Sequence, residues 1–397
     1  MSSKNDPVVI VSAMRTPTGS FGGHFKDTAA PILGSIAIKA AIEKAKISPA
    51  DIDEVIMGCV LPAGLGQAPA RQAAIHAGIP KSTGATTINK MCGSGMKAVM
   101  QAHDSILAGS SKIVIAGGME NMSRAPYLLE KARFGYRIGH SKVIDHMMLD
   151  GLEDAYSKNA MGYFAEQCAV RYKTSREALD AFAVESLNRA KKANEDGTFS
   201  DEIAPVLVRS RKQDIQVSQD EGPLNAKPEK IPTLRPAFIS DGVITAANSS
   251  SISDGAAALA LMKSSQAQEK GLNPLATIIA HHTHAQAPEW FTTAPIGAIQ
   301  GVLEKAGWTI LDVDLFEINE AFAVVTLAAM QELYIPHDKV NVLGGACAIG
   351  HPIGASGARI MVTLINALRK KGLKRGVASL CIGGGEATAI AIEINDT

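Results

Sequence analysis

The sequence carries no excess charge of either sign. Lys and Arg total 39 and Asp and Glu total 39, so the formal net charge is zero. The basic surplus usual in nucleic-acid-binding chains is missing, and no nucleic-acid partner is expected. Cysteine is sparse. The five cysteines, at 59, 92, 168, 347 and 381, are an odd number with no CxxC pair. That speaks against a disulfide framework and gives a zinc knuckle no support, so no metal site is expected. A reducing compartment, the cytoplasm, is the expectation. Long apolar runs are also missing. The longest, around Ala256 to Met262, falls far below the roughly 20 residues that span a bilayer, so no membrane partner is expected. Met1 to Pro7 is polar, the run Val8 to Val11 is too short for a signal core, and the C-terminal Asn395-Asp396-Thr397 is not a peroxisomal address.

What is there reads as a folded enzyme-sized chain. Hydrophobic residues are 46% and charged residues 20%, which excludes wholesale disorder, and 397 residues suggest two or three domains. Short β-branched runs at 8–12, 52–59 and 112–116 alternate with helical patterns at 34–45 and 93–108. Alternation of this kind implies an α/β fold around a buried sheet. The second half repeats the order. Glu43-Lys44-Ala45 precedes Asp51-Ile52-Asp53 by the same eight positions that separate Glu304-Lys305-Ala306 from Asp312-Val313-Asp314. Ser94-Gly95 matches Ser356-Gly357, and the strand ending in Gly117-Gly118 matches the one ending in Gly383-Gly384. Between the halves, 120–245 has another texture. It holds one amphipathic helix, 175–193, with Thr174 or Ser175 as N-cap, and a polar, proline-punctuated stretch from Gln213 to Pro236.

Candidate chemistry gathers at four strand–helix junctions. Cys92 stands just before a glycine-opened helix, where free N–H groups favour an anion, lower a thiol's pKa and leave the sulfur accessible; a buried structural cysteine is the plainer reading. His351 sits between Gly350 and Pro352 in a glycine-rich bend, placed for a general base or for mere packing. Cys381 ends a strand before Gly383-Gly384-Gly385, where active groups of α/β folds collect. Asn319 follows an apolar strand and can orient a water or cap a helix. Two thiols, a histidine and an asparagine suit nucleophilic acyl transfer, with one thiol carrying the acyl group and the other moving a proton. A redox thiol pair stays open on these residues alone.

Four segments together resemble the thiolases, and most closely the biosynthetic-type acetyl-CoA acetyltransferases: Asn89 to Met96 around Cys92, Asn319-Glu320-Ala321-Phe322, Gly350-His351-Pro352-Ile353-Gly354, and Cys381 to Gly385. The resemblance covers nearly the whole chain. It implies five-layered, duplicated α/β halves with an inserted loop domain. The expected division is 1–119 for the first half, 120–247 for the loop domain over the CoA site, 248–272 for the return, and 273–397 for the second half. It implies a reversible condensation of two acetyl-CoA to acetoacetyl-CoA and CoA. Cys92 becomes acetylated, His351 takes its proton, and Cys381 removes a proton from the second acetyl-CoA. His351 with a water on Asn319, and the backbone N–H groups of Cys92 and Gly383, form two oxyanion holes. Ser250, Met161, Phe238, Phe322, Ala321 and Lys227 are the implied substrate contacts. CoA thioesters are substrates, so no resident cofactor is expected, and a homo-oligomer with a dimer core, extended to a tetramer, is implied. The chain departs from the pattern at Ala160-Met161, where the biosynthetic enzymes often carry His-Met, and at Cys347, read as a packing residue. The alternatives are a 3-ketoacyl-CoA thiolase of fatty-acid degradation with longer-chain substrates, and a non-catalytic CoA-binding relative.

Overall fold

The computed structural model describes residues 6–209 and 213–395. Residues 1–5 and 396–397, which belong to the terminal stretches read above for targeting signals, lie outside the described residues. The first half runs β1 (Val8–Arg15), α1 (Ala30–Ala45), β2 (Glu54–Gly58), α2 (Pro69–His76), β3 (Gly84–Ile88), α3 (Ser94–Ala108) and β4 (Ile113–Asn121). A long excursion carries α4 (Met161–Tyr172) and α5 (Arg176–Glu195), and the chain returns as β5 (Ser253–Lys263). The second half runs β6 (Ala276–Ala285), α6 (Ala294–Ala306), β7 (Leu315–Ile318), α7 (Ala323–Leu333), α8 (Ile353–Lys371), β8 (Arg375–Ile382) and β9 (Glu386–Ile394). Among the described residues no helix is long and apolar enough to cross a membrane.

All these strands join one ten-stranded sheet in the order β7-β8-β9-β6-β1-β5-β4-β2-β3, with Gly19–Ser20 added beside β5. Each half has the same plan: β2 is parallel to β4 as β7 is to β8, and an antiparallel strand follows on each side. The halves meet where β1 pairs with β6, Val9 opposite Thr277 and Ile10 opposite Ala276. Period-two alternation on β1 sets the layers. Val9 and Val11 face α1 and α2, whereas Val8 and Ile10 face α3 and α8. The other sheet half packs α3 and α8 on one side and α6 and α7 on the other, which makes five layers with α3 and α8 in the middle. Its central place explains why α8 is buried along nearly its whole length, polar Ser356, Arg359 and Thr363 included.

Two aspartates fix the register of the duplication. Asp53 Oδ2 accepts the N–H groups of Lys112 and Ile113 at 2.8 Å each, and Asp314 Oδ2 accepts those of Lys374 and Arg375 at 2.9 Å each. Ile113 therefore corresponds to Arg375, and Gly117 to Ser379, not to Gly383. The two glycine pairs have different causes. Gly118 lies inside β4, which continues to Asn121, because a Cβ there would stand 2.0 Å from the Gly354 carbonyl oxygen of the central layer. Gly384 and Gly385 turn the β8–β9 hairpin, with φ of 93° and 88°.

The excursion is tied down by buried charge. Arg15 donates to Glu202 at 2.6 Å and forks onto Asp220 at 2.7 and 2.9 Å. Such a buried pair costs much desolvation, and the bidentate geometry offsets it. On α5, Ser175 is the N-cap, its Oγ accepting from the Ala178 N–H at 3.3 Å, and Leu179, Phe182 and Leu187 are buried as the spacing predicts.

Candidate active site

Three of the four junction residues meet at one cavity. A cavity of about 420 Å³ is lined by Cys92, His351, Cys381 and Gly383. Cys92 is delivered by a tight turn after β3. Met91 takes a left-handed φ of 47°, a strained value for a side chain that long. The Lys90 N–H donates to Ser94 Oγ at 2.8 Å, and the Ser94 hydroxyl donates to the Met91 carbonyl at 2.7 Å. The turn leaves the sulfur facing the cavity just ahead of α3. Burial pushes the thiol up to about 11, against the pull of the Gly383 and Cys92 N–H groups. Here the expectation from the helix N-terminus fails in sign. Loss of water around the sulfur outweighs the helix end.

His351 is nearly buried, at 6% exposure. Its N–H donates to the Ser251 carbonyl at 3.1 Å. The ring Nδ1 lies 2.5 Å from Ser356 Oγ, and that hydroxyl donates its own proton to the Pro352 carbonyl at 3.0 Å. Ser356 therefore accepts, Nδ1 carries the hydrogen, and Nε2 keeps a free lone pair with no protein partner. Burial first, and the Arg359 charge second, lower the ring to about 3, so the imidazole is neutral at pH 7.

Cys381 is the penultimate residue of β8, opposite Ala387, with Ile382 between it and the hairpin turn. Only 1% exposed, its thiol is held well above the ordinary range by burial and by the nearby Cys92 sulfur. All five cysteines are free, so the two thiols are neighbours without a bond.

Asn319 is buried behind the wall and does not line the cavity. It caps no helix, because the N-cap of α7 is Phe322. Both polar atoms of its amide lack a protein partner. Glu320 beside it has three. Its carboxylate accepts from Ser186 at 2.7 Å, Asn341 Nδ2 at 2.9 Å and the Cys347 N–H at 3.0 Å, which pins this turn to α5 and to the loop before His351. Cys347 thus has the packing place expected of it.

Met161, Phe238, Ser250, Ala321 and Phe322 all line the cavity. The Phe238 and Phe322 rings meet edge-on at 6.0 Å, and the Ser250 N–H donates to the Ala321 carbonyl at 2.9 Å. Lys227 is not brought to the cavity; it is exposed at the start of the turn Pro228–Thr233. Two residues escaped the sequence reading. Ser356 was visible only as a helix opener. Glu120 accepts N–H groups of Val60, Leu61 and Gly354 at 2.9, 3.2 and 2.9 Å, and burial lifts it to about 7. Its signal was a carboxylate continuing an apolar strand.

The arrangement suits acyl transfer: a thiol, a neutral base with a bare nitrogen, backbone donors, and a second thiol for proton movement. Residues 8–265 match the family described as "Thiolase, N-terminal domain", and residues 272–394 match "Thiolase, C-terminal domain". The chain belongs to the thiolase family. This thiolase is 50% identical over 388 residues to acetyl-CoA acetyltransferases of Cupriavidus necator and Chromobacterium violaceum, covering 97% of the chain and 99% of each relative. It superposes on the crystal structure of the Bacillus anthracis acetyl-CoA acetyltransferase with a TM-score of 0.96 at 41% identity, covering 98% of this thiolase and 99% of that chain.

Proposed function

We propose that this thiolase is an acetyl-CoA C-acetyltransferase working through an acetyl-cysteine. The observation that carries the reading is the neutral His351, with Nε2 bare, on the same cavity as Cys92 and Cys381. Cys92 sulfur attacks the acetyl carbonyl as its proton passes to His351 Nε2. CoA leaves as a thiolate and takes the proton of Cys381, which leaves Cys381 as the thiolate its own pKa would otherwise disfavour. That thiolate removes a proton from the methyl of the second acetyl-CoA. The enolate attacks the acetyl-cysteine, acetoacetyl-CoA forms, and Cys92 regains its proton from His351. No resident cofactor is needed.

The Gly383 and Cys92 N–H groups already reach the Cys92 sulfur, which supports their service to the acyl-enzyme oxygen. The unpaired amide of Asn319 and the bare His351 Nε2 support a water-completed donor pair for the thioester oxygen. The apolar and aromatic walls support Met161, Phe238, Phe322, Ala321 and Ser250 as contacts for the acyl group and pantetheine arm; Lys227 is proposed only for the outer, phosphate-bearing end of CoA. In this reading 120–247 is the cover of the CoA site, inserted between 1–119 and 248–272 and followed by 273–397. The five free thiols support a reducing, cytoplasmic setting, and the acetoacetyl-CoA product a place in lipid metabolism. Exposed Tyr127, Phe134 and Ile138 give the excursion an apolar surface suited to a homotetramer built on dimers.

Intact-mass measurement after acetyl-CoA addition tests the reading. Wild type gains one acetyl group and forms acetoacetyl-CoA; Cys92→Ser gains none, and labelling elsewhere would refute the assignment. Turnover of acetoacetyl-CoA against 3-ketodecanoyl-CoA separates this activity from a long-chain 3-ketoacyl-CoA thiolase.

A further inference from the structure

One cluster of side chains lies outside the acyl-transfer site and is not used by it. His103 and Asp104 stand on α3, in the first half, and His281 stands on β6, in the second. Asp104 Oδ1 is 3.1 Å from His103 Nδ1 and 2.9 Å from His281 Nε2, and the three ligand atoms lie within 4.8 Å of one another. The imidazole rings meet at 90° with centroids 5.0 Å apart. Their side chains are only 13% and 18% exposed, against 58% for Asp104. Two held rings and one open carboxylate form a shallow, half-walled cup. Lys305 is the nearby cation; its ammonium donates to the His281 carbonyl at 3.1 Å and fixes the strand.

We propose that His103, Asp104 and His281 bind a divalent transition-metal ion of the zinc, cobalt or nickel kind, completed by water. In a tetrahedral site with bonds of about 2.0–2.1 Å, neighbouring donors stand roughly 3.3 Å apart. Two edges of the cluster, at 3.1 and 2.9 Å, are near that value already. Two imidazoles with one carboxylate select such ions over magnesium and calcium, which want all-oxygen shells. The donors sit on a 15-residue helix and a ten-residue strand, so little chain entropy is lost on binding. Without an ion, the carboxylate accepts from both rings and keeps the cup together.

The ion would clip α3 to β6, and with them the two halves of the chain. His103 is nine residues from the start of α3, about 14 Å along its axis, so the clip lies remote from the Cys92 end. Its effect is on stability rather than on acetyl transfer, by preferential binding to the folded chain.

Titration of the intact full-length protein with zinc, followed by calorimetry and by thermal unfolding, tests this. One zinc per chain and a raised Tm are expected. Because a ligand matters more than an outer partner, His281→Ala and Asp104→Asn should each weaken binding by more than about 10–100-fold. Asp104→Asn, at an exposed position, keeps the test open should His281→Ala fold poorly. Cobalt distinguishes the site from the thiols: nitrogen and oxygen ligation gives no sulfur charge-transfer band. A sulfur band, zinc binding that persists in both variants, or no saturable binding would overturn the proposal.

Discussion

His351 donates its Nδ1–H to Ser356 across 2.5 Å, and the Ser356 hydroxyl donates in turn to the Pro352 carbonyl, so one hydroxyl decides which ring nitrogen keeps its lone pair free. Removing it frees the ring to take the other tautomer. Ser356→Ala should lower kcat by about 10–100-fold, the usual cost of losing an orienting partner, with KM little changed. Stopped-flow acetylation and steady-state acetoacetyl-CoA formation report it. Unchanged acetylation would mean the ring is held by its backbone alone.

The thiol of Cys92, pushed up to about 11, should be almost wholly protonated at pH 7 in the free enzyme, with a thiolate fraction of about 10⁻⁴. Iodoacetamide alkylation should therefore be slow at pH 7 and should rise about tenfold per pH unit with no plateau below pH 10. A plateau near neutrality would reveal a thiolate–imidazolium pair instead. The sign follows from burial, which penalises the anion more than the backbone donors favour it.

Cys381 should split the two half-reactions. Cys381→Ala removes the proton acceptor for the second acetyl-CoA, whereas the CoA thiolate can still depart unprotonated in the first step. Acetylation of Cys92 should persist by mass spectrometry, and condensation should fall by at least about 10²-fold. Equal loss of both would mean Cys381 supports the nucleophile or the fold.

Gly118→Ala should damage stability and activity together. The added methyl would press on the Gly354 carbonyl, 2.0 Å away, in the segment that carries His351. Overpacking of this kind costs about 1–3 kcal/mol, so a lowered Tm and a lowered kcat are both expected. A variant as stable and active as wild type would show that α8 yields without moving the histidine.

The duplicated α/β plan and the candidates Cys92, His351 and Cys381 were legible because they are written in local signals, apolar runs, helix openers and glycine turns; that the three share one site was implied by the resemblance to the thiolases. What was not legible depends on neighbours distant in sequence. Gly117-Gly118 looks like a strand stop, and only the approach of Gly354 shows that it is a gap left for another backbone. The raised pKa of Cys92 comes from burial by other segments, while a sequence shows only the helix behind it. Asp104 and His281 are 177 residues apart, so no ligand spacing could announce them. Asn319, readable as a cap, needed the observed start of α7 to lose that reading.

The pairing of β1 has a consequence for how the chain is made. Ile10 lies between Leu261 on one side and Ala276 on the other. Val8–Arg15 therefore waits until residues 257–263 have been made before either of its edges is covered. Contacts of such long separation are slow to form. Until they do, Val8–Arg15 presents a bare and largely apolar edge, which is the kind of surface that chaperones hold and that aggregates exploit. A nascent chain stopped short of residue 276 carries its nucleophile already, but not the sheet that gives it a place to stand.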